Sequence, residues 1–346
     1  MTIDFNSLKK VPRLRIEAKL EVDMGKRFQP TGFPNLGAAV FDLPNGGAGL
    51  IVESAQSMSN RMEKCCWNER DDDWTVPLRG LPVIKVVNKE HKPLTNSVLE
   101  AHRINSPYII GGKDDSFLKI LKTELVTNGI GSVNLRRFYE LLLRYDPNTL
   151  VHGVFLSGSK RSGTDIMGGR YKLPRALIAF IDAGNVNVAS SGGVKMDQVD
   201  PSGKTALGFG HVPYNRDEYT SPDIIASFKL DLAQIRGYGL GGNAVNFIIA
   251  FSLYKIQKVL TEGLRLRTAC EFECAGLNVK TPIGWNIPTL AEIEKELPAL
   301  IKAVADEKKF RDIDVKTGDR STIITYEKKK EKKDEVEDIS SEEMDN

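Results

Sequence analysis

The sequence predicts an α+β fold whose sheet keeps one face open, and three features carry that expectation. Leu14, Ile16, Ala18, Leu20 and Val22 alternate with polar residues, the period-two pattern of a half-buried strand. The run "FKLDLAQIR" alternates as well, with Phe228, Leu230 and Leu232 on one side and Lys229 and Asp231 on the other; a strand buried on both faces would be almost continuously apolar. Segments of helical spacing occupy much of the remaining chain, which sets the class apart from all-β.

In chain order, the strand Leu14–Val22 leads through the Gly/Pro loop "GKRFQPTGFPNLG" to a hairpin, "AAVFDL" and "AGLIVE" around "PNGG". Ala55, Met58, Met62 and Cys65 then share a helical face, best explained as core packing. "PVIKVV" reads as a strand, and Ser97 with Glu100 as a capping box opening a short helix. Helices are expected over 116–126 and 134–145, and a buried strand at "LVHGVFL". Residues 157–175 carry five basic side chains against Asp165 and read as a mobile basic loop. A strand from Arg175 runs into a Gly/Pro/Ser-rich excursion, with a hairpin arm expected around "SSGGVK", over Val186–Tyr214. A strand over 227–236, a glycine turn, a helix over 244–260, a strand over 264–274 and a helix over 290–305 complete the series.

Residues 1–326 are expected to form one globular unit, since 346 residues with 41% hydrophobic content can bury a sizeable core. The remainder, 327–346, holds nine acidic and five basic residues and almost nothing to bury, so it is expected to be disordered. No apolar run approaches a membrane span and the start lacks a signal-peptide core, which points to the cytoplasm. The cysteines Cys65, Cys66, Cys270 and Cys274 are too few for a disulfide scaffold.

Gly237, Gly239 and Gly242 spell G-x-G-x-x-G ahead of a helix, but the alternating strand before them and the lack of a clear ribose-binding acid argue against a dinucleotide enzyme. "GSKRSGT" has phosphate-loop glycine spacing without its lysine. Four residues of strand part Cys270 from Cys274, about 13 Å and awkward for one zinc. His91, His102, His152 and His211 are scattered, with no nucleophile beside them. What recurs is Arg or Lys beside glycine, proline and aromatics, as in "GKRFQP", "AHRINSPY", "GGRYKLPR" and "IRGYGLGG". Single-stranded nucleic acid asks for that chemistry: cations for phosphates, planar groups for bases, glycine for close backbone approach.

The segments "RFQPTGFPNLGAAVF", "ESAQSMSNRMEKCCW", "LRGLP", "LTNSVLEAHRINSPYI", "HGVFL", "LPRALIAFIDAGNV", "SSGGVK" and "LDLAQIRGYGLG" together resemble one family. It is the backbone subunit of type I-G (formerly I-U) CRISPR interference complexes, a GSU-type, Cas-seven-like branch of the RAMP superfamily. The resemblance runs from about Arg13 to Trp285. It implies an RNA-recognition-motif-like (ferredoxin-like) antiparallel palm with large insertions and a hairpin thumb, the arm 186–214 being the candidate. It further implies no catalysis, no cofactor and no metal. The implied partners are CRISPR RNA, target DNA through guide pairing, further copies in a helical filament and the other subunits of a Cascade-like complex, with no membrane.

On that resemblance Lys26, Arg27, Arg61, Arg103, Arg170, Arg175 and Arg236 are expected to face the RNA backbone, and Lys160 and Arg161 to lie beside RNA or target DNA. Gly237 and Gly239, with Gly242, would bring Arg236 and a helix N-terminus to phosphates; a tight turn with no ligand is the structural alternative. Two other classes stay open: an RNA-processing nuclease of the same superfamily using His102 or Asp165, and a nicotinamide or flavin enzyme.

Overall fold

The computed structural model describes residues 3–33, 37–125, 133–157 and 171–329. The strands used below are β1 (Arg13–Val22), β2 (Val40–Asp42), β3 (Ala48–Glu53), β4 (Val83–Val87), β5 (Pro93–Asn96), β6 (Leu177–Gly184), β7 (Asn187–Lys195), β8 (Val212–Thr220), β9 (Asp223–Asp231), β10 (Arg265–Arg267), β11 (Cys270–Thr281) and β12 (Ser321–Thr325). The helices used below are α1 (Ala55–Lys64), α2 (Ser116–Leu125), α3 (Leu135–Tyr145), α4 (Pro147–His152), α5 (Leu232–Gly237), α6 (Gly242–Glu262) and α7 (Leu290–Asp306).

A seven-stranded sheet runs in the order β10-β11-β1-β9-β6-β3-β2, every neighbouring pair antiparallel. Its middle four strands, numbered along the chain, stand in the order four-one-three-two. The helix α6 connects the third to the fourth, and α1 lies in the long connection from first to second. That is the βαββαβ ferredoxin-like arrangement, so the antiparallel palm expected from the resemblance is present. The insertions are large, and the longest separates β1 from β6.

Alternation explains why the sheet has two unlike faces. Leu14, Ile16, Ala18 and Leu20 of β1 are buried under the helices, and so are Ala179, Ile181 and Ala183 of β6 and Ala226, Phe228 and Leu230 of β9. Burying a large aliphatic or aromatic side chain is worth about 1.5–3 kcal/mol, so a one-residue slip that turned this set outward would be prohibitive. The other face carries Arg13, Arg15, Lys19 and Glu21, all exposed. α1 packs on β6 and α6, and α6 packs on α7. α6 is apolar all round because it is covered on both sides, with Phe247, Ile248, Phe251, Leu253 and Ile256 all buried.

The edges of the sheet are tied together through a bulge. Register shifts between Ile181 and Asp182, which face Glu53 and Ile51. Val52 is thus the extra residue, and Glu53 is turned to the helix side, as bulges re-aim side chains. There Glu53 is buried and accepts from Arg61 Nη2 at 2.9 Å and from Arg267 Nη2, although Arg267 belongs to the opposite edge hairpin. The sheet therefore curls around α1.

Several local expectations need correction. "LVHGVFL" is the last turn of α4 followed by the short strand Val154–Phe155. Pro147 fits the first helical turn, and Gly153 at φ +76° ends it where a Cβ would meet Leu173 O at 2.5 Å. Ser97 and Glu100 open no helix: Ser97 Oγ accepts from Ile84 N, while Glu100 accepts from Thr95 and Ser106 hydroxyls. The strand expected over 227–236 ends at Asp231, whose side chain accepts from Gln234 N at 2.9 Å and caps α5. Beyond α7, β12 adds in parallel to β4, with β5 on the far side; five residues in a charged setting gave no signal of it. All four cysteines are free thiols, and burial pushes Cys270 up to about 11. Among the described residues no helix is long and apolar enough to cross a membrane.

Asp146, which precedes α4, is fully buried; its Oδ2 accepts from Thr149 Oγ1 at 2.6 Å and its Oδ1 has no protein partner. Burial raises its carboxyl from 3.8 to about 6, with nearby Glu63 adding to the rise. The folded state holds this proton more tightly than the unfolded chain, so its contribution to stability is complete below pH 4 and lost as pH rises through about 6. Asp146→Asn should remove that loss, gaining on wild type by roughly 3 kcal/mol between pH 4 and 7; urea denaturation across that range checks it, and parallel pH profiles would refute it.

Candidate nucleic-acid interface

The arm expected over 186–214 is a two-stranded hairpin of β7 and β8, in register from Asn187 opposite Thr220 to Lys195 opposite Val212. It is longer than expected at its return strand. Ser191, Gly193 and Lys195 share one face with Arg216, Tyr214 and Val212. The ring of Tyr214 lies over Gly193, where an added Cβ would stand 2.9 Å from its hydroxyl. Only glycine leaves that platform open. The tip between the strands is pinned by Asp197, whose carboxylate accepts from the backbone N–H groups of Val199, Asp200 and Gly210. Those three bonds hold the Asp197 carboxyl below its ordinary range. The same tip exposes Met196, Leu207, Phe209 and Val199, the last at 96%.

At the root of the arm the loop after β1 joins it. Phe28 bridges to Tyr219, and Phe28 packs edge-on against Phe272 at 5.6 Å. This fixes Lys26 and Arg27, both exposed, beside β8. Glu218 is buried there and shared by Arg216 Nη2 at 2.6 Å and Arg27 Nη1 at 3.3 Å. One carboxylate under two guanidiniums leaves the root positive, and Lys26 and Lys195 extend the charge along the arm.

A second feature, the glycine turn, lies at the other end of the sheet, one strand length or about 30 Å away along β9. Gly237 closes α5, Gly239 (φ +69°) and Gly241 (φ +87°) make the turn, and Gly242 opens α6. The three glycines thus join two helices, which removes the strand-turn-helix context of a dinucleotide fingerprint. A cleft of about 230 Å³ opens beside Gly239 and Gly241, walled by Arg136, Glu140 and Arg144 of α3 and by Lys309. Lys309 Nζ donates to Leu240 O at 2.5 Å and pairs with Glu307, while Arg136 and Arg144 pair with Glu140 and Glu124 at 3.1 and 3.3 Å, so each cation of the cleft is matched by a carboxylate. Arg136, Arg144 and Lys309 were missed by sequence reasoning, and Arg216 and Tyr214 lie in the basic and aromatic stretch "YNRDEY" without being expected individually as site residues. Their signal was weak, since each lies in an ordinary helical or strand pattern and only folding gathers them.

Three of the expected RNA-facing arginines serve the protein instead. Arg103 is buried at 4% exposure; its Nε and Nη2 donate to the two Glu63 oxygens at 2.6 and 2.8 Å, and Nη1 donates to Gly153 O. A bidentate pair of this kind saturates the guanidinium. Arg61 is engaged by Glu53 and Leu266 O. Arg236 donates to Leu8 O and Val11 O at 3.2 and 2.8 Å, holding the chain start onto α5 rather than pointing from the glycine turn. Arg175 is half-buried and donates to Gln56 Oε1. Gly237 and Gly239 are exposed. Lys160, Arg161, Arg170 and Asp165 lie outside the described residues, as does most of the 157–175 loop. His102 is exposed. His152 is buried with neither ring nitrogen partnered, and burial, with Lys255, Arg103 and Arg175 nearby, keeps it neutral.

A model of the family described as CRISPR-associated protein GSU0053 matches residues 14–188. Two solved structures are similar over most of the chain. One is a chain of a "CRISPR RNA-guided surveillance complex, pre-nicking", with 10% identity, TM-score 0.41, and 86% of this chain and 89% of that one covered. The other is Csc2 of Thermofilum pendens, with 10% identity, TM-score 0.31, and 86% and 76% covered. The fold assignment rests on the strand order above. No curated protein sequence matches.

The division between structural and exposed arginines has a measurable consequence. Arg103→Ala strands a buried carboxylate and should cost about 3–5 kcal/mol, whereas Arg27→Ala leaves Glu218 with Arg216 and should hardly move the urea midpoint. Equal midpoints for the two variants would overturn the division.

Proposed function

The chain belongs to the family of CRISPR-associated protein GSU0053, and from that membership we propose that it is a non-catalytic backbone subunit which carries CRISPR RNA in a type I-G, Cascade-like complex. The observation that carries the reading is the arm. One face of the β7–β8 hairpin presents Lys195, Arg216 and Tyr214, and its root presents Lys26 and Arg27, a row of cations with an aromatic between them. Side chains on one strand face recur at about 6.6 Å, close enough for neighbouring cations to meet successive phosphates of an extended strand. Cations fix a strand without reading its bases, and a ring supplies a stacking surface that tolerates any base. A guide carrier has to accept many sequences, and this chemistry does.

Under the proposal the arm is the thumb of the palm, and its apolar tip lies against bases or against the next copy along the guide. Copies line up as a filament on the RNA, other subunits of the complex close its ends, and target DNA is met through guide pairing. The setting is cytoplasmic, and no cofactor is needed.

Full-length protein should bind a labelled single-stranded RNA of arbitrary sequence with strong salt dependence, read by anisotropy. Lys26→Ala, Arg27→Ala and Lys195→Ala combined leave the Arg216–Glu218 pair intact. They should weaken binding and lower the slope of log K against log salt by about 2, three contacts at about 0.7 each. An unchanged slope removes the arm root from the interface, and cleavage of repeat RNA by the purified protein would refute the non-catalytic assignment.

A further inference from the structure

The charges on the open face of the sheet follow an order along the strands. On β1 the outward side chains are Arg13, Arg15, Glu17, Lys19 and Glu21, and exposed Asp23 follows, still paired through its N–H to Glu271 O. Taken from the two ends inward, every residue meets one of opposite sign: Arg13 with Asp23, Arg15 with Glu21, Glu17 with Lys19. The neighbouring strands repeat this. On β9 Lys229 stands opposite Arg15, and Asp223 lies at the other end, one row beyond Ile225. On β11 Glu273 stands opposite Glu21, while Lys280 lies next to Thr281, which faces Arg15. The face is therefore positive toward the start of β1 and negative toward its end.

Within one chain this order is unfavourable. Arg15 faces Lys229 and Glu21 faces Glu273 directly, and like charges in facing positions of antiparallel strands weaken the pairing. Glu17 is taken by Lys280 at 2.9 Å, and Arg13 reaches Asp231 at 3.6 Å. Among the described residues Arg15, Lys19 and Lys229 have no ion pair, and neither do Glu21, Asp223 and Glu273. Three cations and three carboxylates thus stand unmatched on one surface. Phe180, at 36% exposure, and half-buried Ile225 lie in the two middle rows and add apolar area between the charges. Asp182, in the row of Ile225, stands outside the pattern. A polyanion would suit one end of this face and be repelled by the other, whereas a surface of the same order, reversed, suits both.

We propose that the open faces of two copies of this chain pack on each other about a two-fold axis that runs across the strands, between the rows of Glu17 and Lys19. The axis reverses strand direction. Arg15 then meets the partner's Glu21, Lys19 the partner's Glu17, Lys229 the partner's Asp223 and Lys280 the partner's Glu273, and the symmetry repeats each pair. Stacked sheets lie about 10 Å apart, a gap that facing arginine and glutamate side chains span. They cross at about 30°, so the pairs on the central strands β1 and β9 are the ones best kept. Four strands by nine residues cover about 19 by 27 Å, or about 1,000 Å² in both copies together, near the lower limit of a specific interface. The contact is accordingly weak, set by charge and screened by salt. The arm leaves the sheet at the Gly184 and Asp223 end, so the axis sends the two arms to opposite ends of the pair. This surface is separate from the arm and does not rest on the guide-carrier reading.

Sedimentation velocity on nuclease-treated, full-length protein should show a dimer at low salt and a monomer near 1 M, where the screening length falls to about 3 Å. Arg15→Glu sets a carboxylate against the partner's Glu21, and Glu21→Arg sets a guanidinium against the partner's Arg15. Each variant alone should self-associate at least about tenfold more weakly than wild type. Each also relieves a like-charge pair inside its own chain, so urea midpoints equal to or above that of wild type are expected and show that the fold is intact. Mixed in equal amounts, the two variants should form a heterodimer with the affinity of the wild-type pair, because every contact between positions 15 and 21 is then of opposite sign. A wild-type chain that stays monomeric at low salt overturns the proposal, as do single variants that dimerise like wild type or a mixture that fails to recover. A dimer that is lost on nuclease treatment overturns it as well and assigns these cations to nucleic acid.

Discussion

The carboxylate of Glu63 sits where three parts of the chain meet. It lies on α1 and accepts both donors of the Arg103 fork, with a third bond from Asn148 Nδ2 at 2.6 Å. Asn148 Oδ1 accepts in turn from Lys255 Nζ on α6 at 2.8 Å, and that ammonium lies 4.4 Å from the Phe251 ring centre. One charged chain of contacts thus joins the first palm helix, the long insertion and the second palm helix. All four side chains are buried, where breaking a pair leaves an uncompensated charge and costs several kcal/mol. Arg103 even adopts φ +52°, a conformation that costs about 1–3 kcal/mol and persists because its side chain is held at three points. The insertion cannot shift on the palm without dismantling this network.

The same chemistry decides which cations remain for a partner. Buried carboxylates take arginines, because a planar fork satisfies both oxygens at once: Glu53 takes Arg61 and Arg267, Glu63 takes Arg103, and Glu218 takes Arg216 with part of Arg27. The exposed charge left at the arm is therefore rich in lysine. Lysine is a compact, hydrated charge with little geometric demand, which under the proposed function holds phosphates without reading bases. The arm root and the glycine turn stand at opposite ends of the sheet, so a strand touching both would have to cross the palm.

The glycine turn shows how a local pattern takes its meaning from what precedes it. Read in line, G-x-G-x-x-G after an alternating run looked like strand, turn and helix. The side chain of Asp231 starts a helix instead, and the glycines link two helices beside a cleft of paired charges. The capping signal was present in the sequence, an Asp three residues before the N–H it accepts, but alternation masked it.

Strand periodicity by itself determined a sheet with one open face: the inward residues of β1 and β9 were legible because burial on one face imposes a period of two over many residues, whereas the palm came from the family resemblance. The helices α1, α2, α3, α6 and α7 were legible because each is long enough for its pattern to repeat, and the hairpin arm was legible from its Gly/Pro/Ser-rich composition. What only the tertiary structure decided was the fate of the arginines. Arg27 and Arg103 carry the same expectation in the sequence, in "GKRFQP" and "AHRINSPY", yet one is exposed over Glu218 and the other is consumed by Glu63. The partner that distinguishes them lies 191 residues away in one case and 40 in the other. A guanidinium's role is set by the nearest carboxylate in space, and neither composition nor spacing encodes that distance.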